Sequence, residues 1–373
     1  MKYLLYIGRK MLNLFYLFHK CVPVKNRISL ISRQSNTPSR DLLMLKRELE
    51  KQAEEVEVII SCKMIGKGIK GKIEYLLYMM TKQMHLFATS QVVVLDGYCI
   101  AASLLYHKKT LKIVQMWHAM GAMKKFGYAT IGEEEGYSEK LALAMRMHRN
   151  YDVIFVSSEA CKALLAPAYR CTVEQMEVMP LPRVDILCNE NKMNEFCQRI
   201  YKVYPFLKEK KNILYAPTFR KGVEDEQYIY DLIQSVDFTK YNLIIKLHPL
   251  VECKINEKHV LVERHFSSME MLSVADYVVT DYSAFLFEAC IARKPLYRYV
   301  PDKERYNISR GFLMDVEKEL PGYQAKKTEE LIGAIETECH DLKEQEIFIK
   351  KYVQISEHCT ENMAEYILKL RRK

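Results

Sequence analysis

Two histidines stand where apolar runs stop. In Gln115-Met116-Trp117-His118-Ala119 a strand-like run ends at the chain's one tryptophan and at His118, and Lys124 and Lys125 follow. An imidazole is the natural proton acceptor near neutral pH, and a lysine suits phosphate as a point charge. A structural histidine beside a core tryptophan fits the same residues. In Ile244-Ile245-Lys246-Leu247-His248-Pro249 a second buried run delivers His248 two residues after Lys246, and Pro249 stops it. Tyr215-Ala216-Pro217-Thr218-Phe219-Arg220 offers the Thr218 hydroxyl and the Arg220 guanidinium to a diphosphate, or else forms a turn with a surface arginine. Arg183, in Pro180-Leu181-Pro182-Arg183-Val184-Asp185, either pairs with Asp185 or lines a cleft. Arg310 precedes Gly311, which permits close backbone approach.

The elements that must position these groups read as alternating strands and helices. Tyr277 to Val279 is a short β-branched strand, Ala284 to Arg293 an apolar helical segment containing Glu288, and Leu296 to Val300 the next strand. Thr280, Asp281 and Ser283 crowd the strand-to-helix corner. There they either cap the helix or help its N-terminus hold a phosphate. One α/β series runs over Ile28 to Ile31, Val56 to Ser61, Val92 to Asp96, Ile113 to Met116 and Val153 to Val156. A polar stretch, Leu187 to Lys211, reads as a connection. A second series follows over Asn212 to Tyr215, Asn242 to Leu247, Val260 to Glu263, Tyr277 to Val279 and Leu296 to Val300. The expected fold class is therefore α/β, with two doubly wound Rossmann-like domains facing each other across a cleft. The expected boundaries are 1–22 for an amphipathic helix, 23–195 and 196–350 for the two domains, and 351–373 for a terminal helix that either stays with the second domain or crosses back to the first. In such folds ligands sit off the carboxyl ends of the strands, where all the groups above fall.

A length of 373 residues suits two domains. The net charge of +9 favours an anionic partner: a phosphorylated substrate, an acidic membrane surface or nucleic acid. Dispersed basic residues and the lack of a recognised module disfavour nucleic acid. Eleven cysteines without a C-x-x-C pair read as reduced core thiols of a cytoplasmic protein, and no zinc site is seen. No D-x-D carboxylate pair is evident, so no metal or other cofactor is expected, and charge neutralisation falls to Lys, Arg and helix dipoles. The Gly- and Lys-rich stretch Lys63 to Lys72 lacks the P-loop pattern and reads as a solvated loop. Met1 to Cys21 is apolar on one side, carries Lys2, Arg9, Lys10 and Lys20, and has no signal-peptide pattern. Such a helix either lies on an anionic membrane or packs on its own domain.

Taken in order, Trp117-His118-Ala119 with Lys124-Lys125, Ala216-Pro217-Thr218-Phe219-Arg220, Leu247-His248-Pro249, Thr280 to Ala284 with Glu288, and Arg310-Gly311-Phe312 with Asp315 resemble the CDP-glycerol glycerophosphotransferase family of teichoic acid synthesis. The resemblance covers about residues 25 to 360. It implies a GT-B type fold with the donor bound mainly by the C-terminal half, attachment to the inner membrane surface, and no required metal. It implies that His118 is the base on an acceptor hydroxyl. It further implies that His248, Thr218, Arg220, Thr280, Asp281 and Ser283 hold the CDP-glycerol diphosphate, and that attack on the phosphorus next to glycerol expels CMP. The acceptor expected from the resemblance is lipid-linked or a cell-surface glycan. CDP-ribitol or a nucleotide sugar as donor, a non-catalytic scaffold, and a homo-oligomer stay open as alternatives. Ala119 and Ala284 replace the family's Gly and second Ser, and a Gly is missing before Pro182-Arg183, which bears on substrate more than on chemistry. The modest length points to a primer-adding or single-transfer enzyme, or to a modifier of capsule or surface glycan.

Overall fold

The computed structural model describes residues 2–133, 136, 138–218, 224–247, 255, 257, 259–302 and 311–371. Residues Met1–Asp185, Ser309–Leu313 and Tyr352–Lys373 make one compact unit, and Ile186–Ile308 with Met314–Lys351 make a second.

The first unit runs α1 (Lys2–Lys20), β1 (Arg27–Ser32), α2 (Arg40–Gln52), β2 (Glu57–Cys62), α3 (Gly68–Tyr78), α4 (Met84–Thr89), β3 (Val92–Leu95), α5 (Ile100–Leu104), β4 (Lys112–Gln115), α6 (Glu139–Ala144), β5 (Val153–Val156), α7 (Glu159–Tyr169) and β6 (Met176–Val178), and enters α8 (Arg183–Leu187). Its sheet is parallel with strand order β2-β1-β3-β4-β5-β6. A parallel sheet covered by helices on both faces needs continuous apolar strands, and all four residues of β3, Val92 to Leu95, are buried. The order reverses between β1 and β3, so the crevice off their carboxyl ends is the topological switch point of this sheet.

The second unit contains α9 (Glu190–Val203), β7 (Lys211–Tyr215), α10 (Glu224–Ser235), β8 (Tyr241–Ile245), β9 (Val260–Val262), α11 (Ser268–Met271), β10 (Tyr277–Thr280), α12 (Phe285–Ile291), β11 (Leu296–Tyr299), α13 (Val316–Glu319), β12 (Tyr323–Ala325), α14 (Thr328–Glu336) and α15 (Leu342–Tyr352). Its parallel sheet has the order β12-β11-β10-β7-β8-β9, with the reversal between β7 and β10. The core on one face joins Ile213, Leu243 and Val279 to Leu232 of α10 and Leu331 of α14.

Four stretches differ from the sequence expectation. Leu187 to Lys211 is no simple connection: α9 fills most of it and buries Phe196 and Ile200 on one stripe. The loop expected over Lys63 to Lys72 turns helical at Gly68, where α3 begins. The strands β6 and β12 are edge strands of three residues, too short and too half-exposed to show a period.

Both ends of the chain pack on the first unit. In α1, Asn13 donates to the Leu104 carbonyl at 3.0 Å and accepts from the Tyr106 N–H at 2.7 Å, and buried Tyr16 meets His107 at 3.2 Å. The other side of α1 leaves Ile7, Met11, Leu14, Leu17 and Phe18 exposed. The last helix, α16 (Cys359–Arg371), packs against α2. Its first turn is capped from outside: the Asp185 carboxylate accepts from the N–H groups of Cys359 and Thr360 at 2.8 and 2.9 Å. Every described cysteine is a free thiol.

Candidate active site

In the first unit, β4 ends at Gln115 and the chain turns sharply. Trp117 has φ +63°, a left-handed conformation that disfavours a bulky L-residue by about 1–2 kcal/mol. Its surroundings hold it there. The Gln115 side chain accepts from the Trp117 N–H at 3.0 Å and donates to the Gly97 carbonyl at 3.1 Å. The indole stacks on Phe126 with ring centres 4.3 Å apart and meets Tyr169 edge-on at 5.9 Å. Backbone strain maintained by its neighbours is commonly found at functional sites.

The turn delivers His118. Its Nδ1 lies 2.7 Å from the Asp96 carbonyl oxygen, just past β3. A carbonyl can only accept, so Nδ1 carries the proton and Nε2 keeps its lone pair. Burial pushes the imidazole's pKa below its ordinary value, against the pull of the Asp96 carbonyl, so the ring is neutral at neutral pH. A neutral imidazole with a free Nε2, held by its other nitrogen, is a general base in form.

Arg183 stands beside it, held by a partner other than Asp185. It does not pair with Asp185, which caps α16. Its N–H and Nε donate to the two carboxylate oxygens of buried Asp41, both at 2.9 Å, and its Nη2 reaches the His118 carbonyl at 3.3 Å. Lys124 and Lys125 lie against the segment that follows Arg310. Lys124 bridges to Phe312, the Lys125 N–H donates to the Gly311 carbonyl at 3.3 Å, and the Leu313 N–H donates to the Met123 carbonyl at 2.8 Å. Gly311 has φ +68°, a conformation that L side chains rarely adopt, which favours glycine there, and its open face lies against the Lys125 side chain. The Lys125 ammonium pairs with Glu133 at 2.5 Å. Two motifs almost two hundred positions apart in sequence thus meet in one unit.

In the second unit, the ends of β7 and β10 meet at the switch point. Asp281 is fully buried and accepts from the Thr218 N–H at 2.9 and 3.0 Å and from the Thr218 hydroxyl at 2.7 Å. The Thr280 hydroxyl donates to the Ala216 carbonyl at 2.7 Å. Thr218, Thr280 and Asp281 therefore tie the chain after β7 to the chain after β10, and the hydroxyl protons of both threonines point inward. Ser283 accepts from the Phe285 N–H at 3.3 Å at the entrance to α12, and Glu288 is buried on that helix. Lys246, two residues before His248 and expected among the substrate- and donor-binding residues, donates to the carbonyls of Glu263 and Phe266 and braces the loop after β9. Burial lowers its pKa. His248, Arg220 and Arg310 lie outside the described residues.

Two residues of this arrangement were not singled out as functional from the sequence. Asp96 had a signal, an acid directly after a buried Val-Val-Val-Leu strand. Asp41 had none, because an acid in the first turn of a helix is ordinary and its partner lies 142 positions away.

The model of the CDP-Glycerol:Poly(glycerophosphate) glycerophosphotransferase family matches residues 14–369. A teichoic acid ribitol-phosphate primase of Bacillus spizizenii is 30% identical over 334 residues, covering 85% of this chain and 84% of its own. A teichoic acid glycerol-phosphate primase of Bacillus subtilis is 29% identical over 268 residues, covering 69% of this chain and 68% of its own. Among solved structures, the wall teichoic acid polymerase TagF superposes with a TM-score of 0.74 at 16% identity over 100% of this chain and 98% of that one, a likeness of fold. With strand ends and motif order arranged as described and the family model spanning nearly its whole length, the chain belongs to the CDP-glycerol:poly(glycerophosphate) glycerophosphotransferase family of teichoic acid synthesis.

Proposed function

We propose that the protein transfers glycerol phosphate from CDP-glycerol to a hydroxyl of a lipid-linked or cell-surface glycan acceptor and releases CMP. The acceptor oxygen attacks the phosphorus next to glycerol, the bond from that phosphorus to the bridging oxygen breaks, and CMP departs with the bonding pair. The acceptor proton passes to Nε2 of His118. The observation that carries this reading is the His118 ring: Nδ1–H donates to the Asp96 carbonyl, leaving Nε2 as the basic atom. The Thr218–Asp281 lock at the switch point of the second sheet supports donor binding by that unit. His248, Arg220 and Arg310 match the family's donor-binding pattern and are proposed as diphosphate contacts, with turnover independent of a divalent ion.

CDP-ribitol is the second reading, supported by the ribitol-phosphate primase that matches most of this chain. The experiment offers CDP-glycerol, CDP-ribitol and a UDP-sugar to the purified chain with a lipid-linked teichoic acid primer, with and without EDTA, and follows nucleotide release. CMP release from CDP-glycerol that persists in EDTA and is lost in His118→Ala, whose circular dichroism is unchanged, is the expected result. Release from CDP-ribitol alone selects the second reading. Release of UDP alone, or no turnover with any donor, sinks the alditol phosphate assignment.

We further propose that the chain works as a peripheral protein on the inner face of the membrane. The exposed apolar side of α1, with Lys10 and Lys20 beside it, supports this. Among the described residues no helix is long and apolar enough to cross a membrane.

A further inference from the structure

His118 cannot act as a base unless the turn that carries it keeps its direction, and that turn is strained at Trp117. The hydrogen bond from Nδ1 fixes the ring's rotation but not the peptide behind it. The His118 peptide carbonyl is reached by one charged group, the Arg183 Nη2 at 3.3 Å. Arg183 is itself fixed. Its backbone N–H and its Nε both donate to Asp41, whose side chain is 2% exposed, so the guanidinium fork has little freedom to turn away. Asp41 sits in the first turn of α2, which Ser39 caps at 3.3 Å. The line of support therefore runs from a capped helix through a buried carboxylate and an arginine to the base.

We propose that Asp41 and Arg183 form a positioning pair that holds the His118 peptide and so aims Nε2 at the acceptor hydroxyl. The inference rests on the reading of His118 as the base, and it gives Arg183 a task other than binding the donor. Among the described residues, the charged or titratable ones facing the ring are Arg183 at the start of α8, Asp41 on α2 and Asp96 after β3, which presents its carbonyl. Arg183 disfavours the imidazolium and Asp41 favours it. Removing one charge while keeping the other should therefore move the His118 titration in opposite directions, which a merely structural pair would not do.

The test follows the His118 ring resonance through a pH titration of the full-length protein by NMR, assigned by its loss in His118→Gln, and measures kcat and KM in parallel. Asp41→Asn is expected to move the His118 titration to lower pH and Arg183→Gln to higher pH. In both, kcat falls about 10- to 100-fold while KM for the donor stays within about threefold. Arg183→Lys keeps the charge but loses the fork. It should leave the titration near wild type and still lower kcat about tenfold. If Asp41→Asn does not fold, the two Arg183 variants, at a partly exposed side chain, carry the same readouts. A His118 titration unmoved in Arg183→Gln, or a raised donor KM with kcat intact, overturns the proposal. Full turnover by His118→Gln would instead sink the base assignment, and the titration would still report whether the pair acts on the ring.

Discussion

Asp96 is an expensive residue to keep where it is. Its side chain is buried, 2% exposed, and Oδ1 has no hydrogen-bond partner among the described residues. Burial pushes its carboxyl up from 3.8 to about 6, against the neighbouring Ser32 hydroxyl, which pulls it down. Between those two values the folded chain holds a proton that the unfolded chain has released. Stability therefore falls as the pH rises through that window, by roughly 3 kcal/mol once the loss is complete. Asp96→Asn keeps the backbone carbonyl that holds His118 and removes the buried charge. The variant is expected to be about 1–3 kcal/mol more stable than wild type near pH 8 and no more stable near pH 4, as read by denaturant unfolding at both values. A variant less stable than wild type near pH 8 would show that the carboxylate has a partner worth more than its burial penalty. At this scale the chain was legible where chemistry follows a strand end. His118, Thr218 and Asp281 could be picked out as chemical groups at corners, but not what they touch. Residue type allowed the two threonine hydroxyls to face a phosphate. Only the pairing of β7 with β10 brings Asp281 under Thr218 and turns both hydroxyls inward.

Elements were more legible than contacts, because period and burial are local. The strands of both sheets follow from β-branched runs, while β6 and β12 escaped for want of length. Helix α1 is the instructive case. Its amphipathic pattern admitted either a membrane or the chain's own domain as the cover for its apolar residues, and the structure divides that residue set between two sides. Asn13 and Tyr16 dock α1 on the loop after α5. Met11, Leu14 and Phe18 are 66%, 62% and 72% exposed. Nearby α3, continuous with the turn leading into α4 against which α1 packs, exposes Ile69, Ile73 and Leu77. Apolar side chains presented beside lysines suit the boundary of an anionic bilayer, where each buried side chain adds on the order of 1–2 kcal/mol. The triple variant Met11→Glu, Leu14→Glu, Phe18→Glu should bind phosphatidylglycerol vesicles at least about tenfold more weakly than wild type in sedimentation. Its melting temperature should stay unchanged, because none of the three is part of the docked side. Equal sedimentation of variant and wild type would remove α1 from the membrane reading.

Across the whole molecule the titrating groups are distributed unevenly, and this makes the two units respond differently to acid. Among the described residues, the four imidazoles with depressed pKa values, His85, His107, His118 and His148, all lie in the first unit. Burial takes His148 down to about 3, among the rings of Tyr98, Phe126 and Tyr169. It takes His107 down to about 4, against Phe87 and Tyr16. An unfolded chain protonates such groups near 6.5 while the folded chain does not, so their contribution is complete above that value and is lost as the pH falls below it. Each buried imidazole then removes about 1.4 kcal/mol per pH unit. Near pH 5, His107 and His148 together cost about 4 kcal/mol, and protonation of Asp96 returns roughly 1.4, leaving a net loss of about 3 kcal/mol in the first unit. The net charge of +9 adds repulsion on acidification, but that acts on the chain at large and does not single out one unit. The differential is therefore the readout. Hydrogen exchange, corrected for the intrinsic rate at each pH, should show the amides of β1 and β3 losing protection between about pH 6 and 5 while those of β7 and β10 keep theirs. Simultaneous loss in both sheets, or earlier loss in the second, would mean that general charge repulsion outweighs the buried imidazoles.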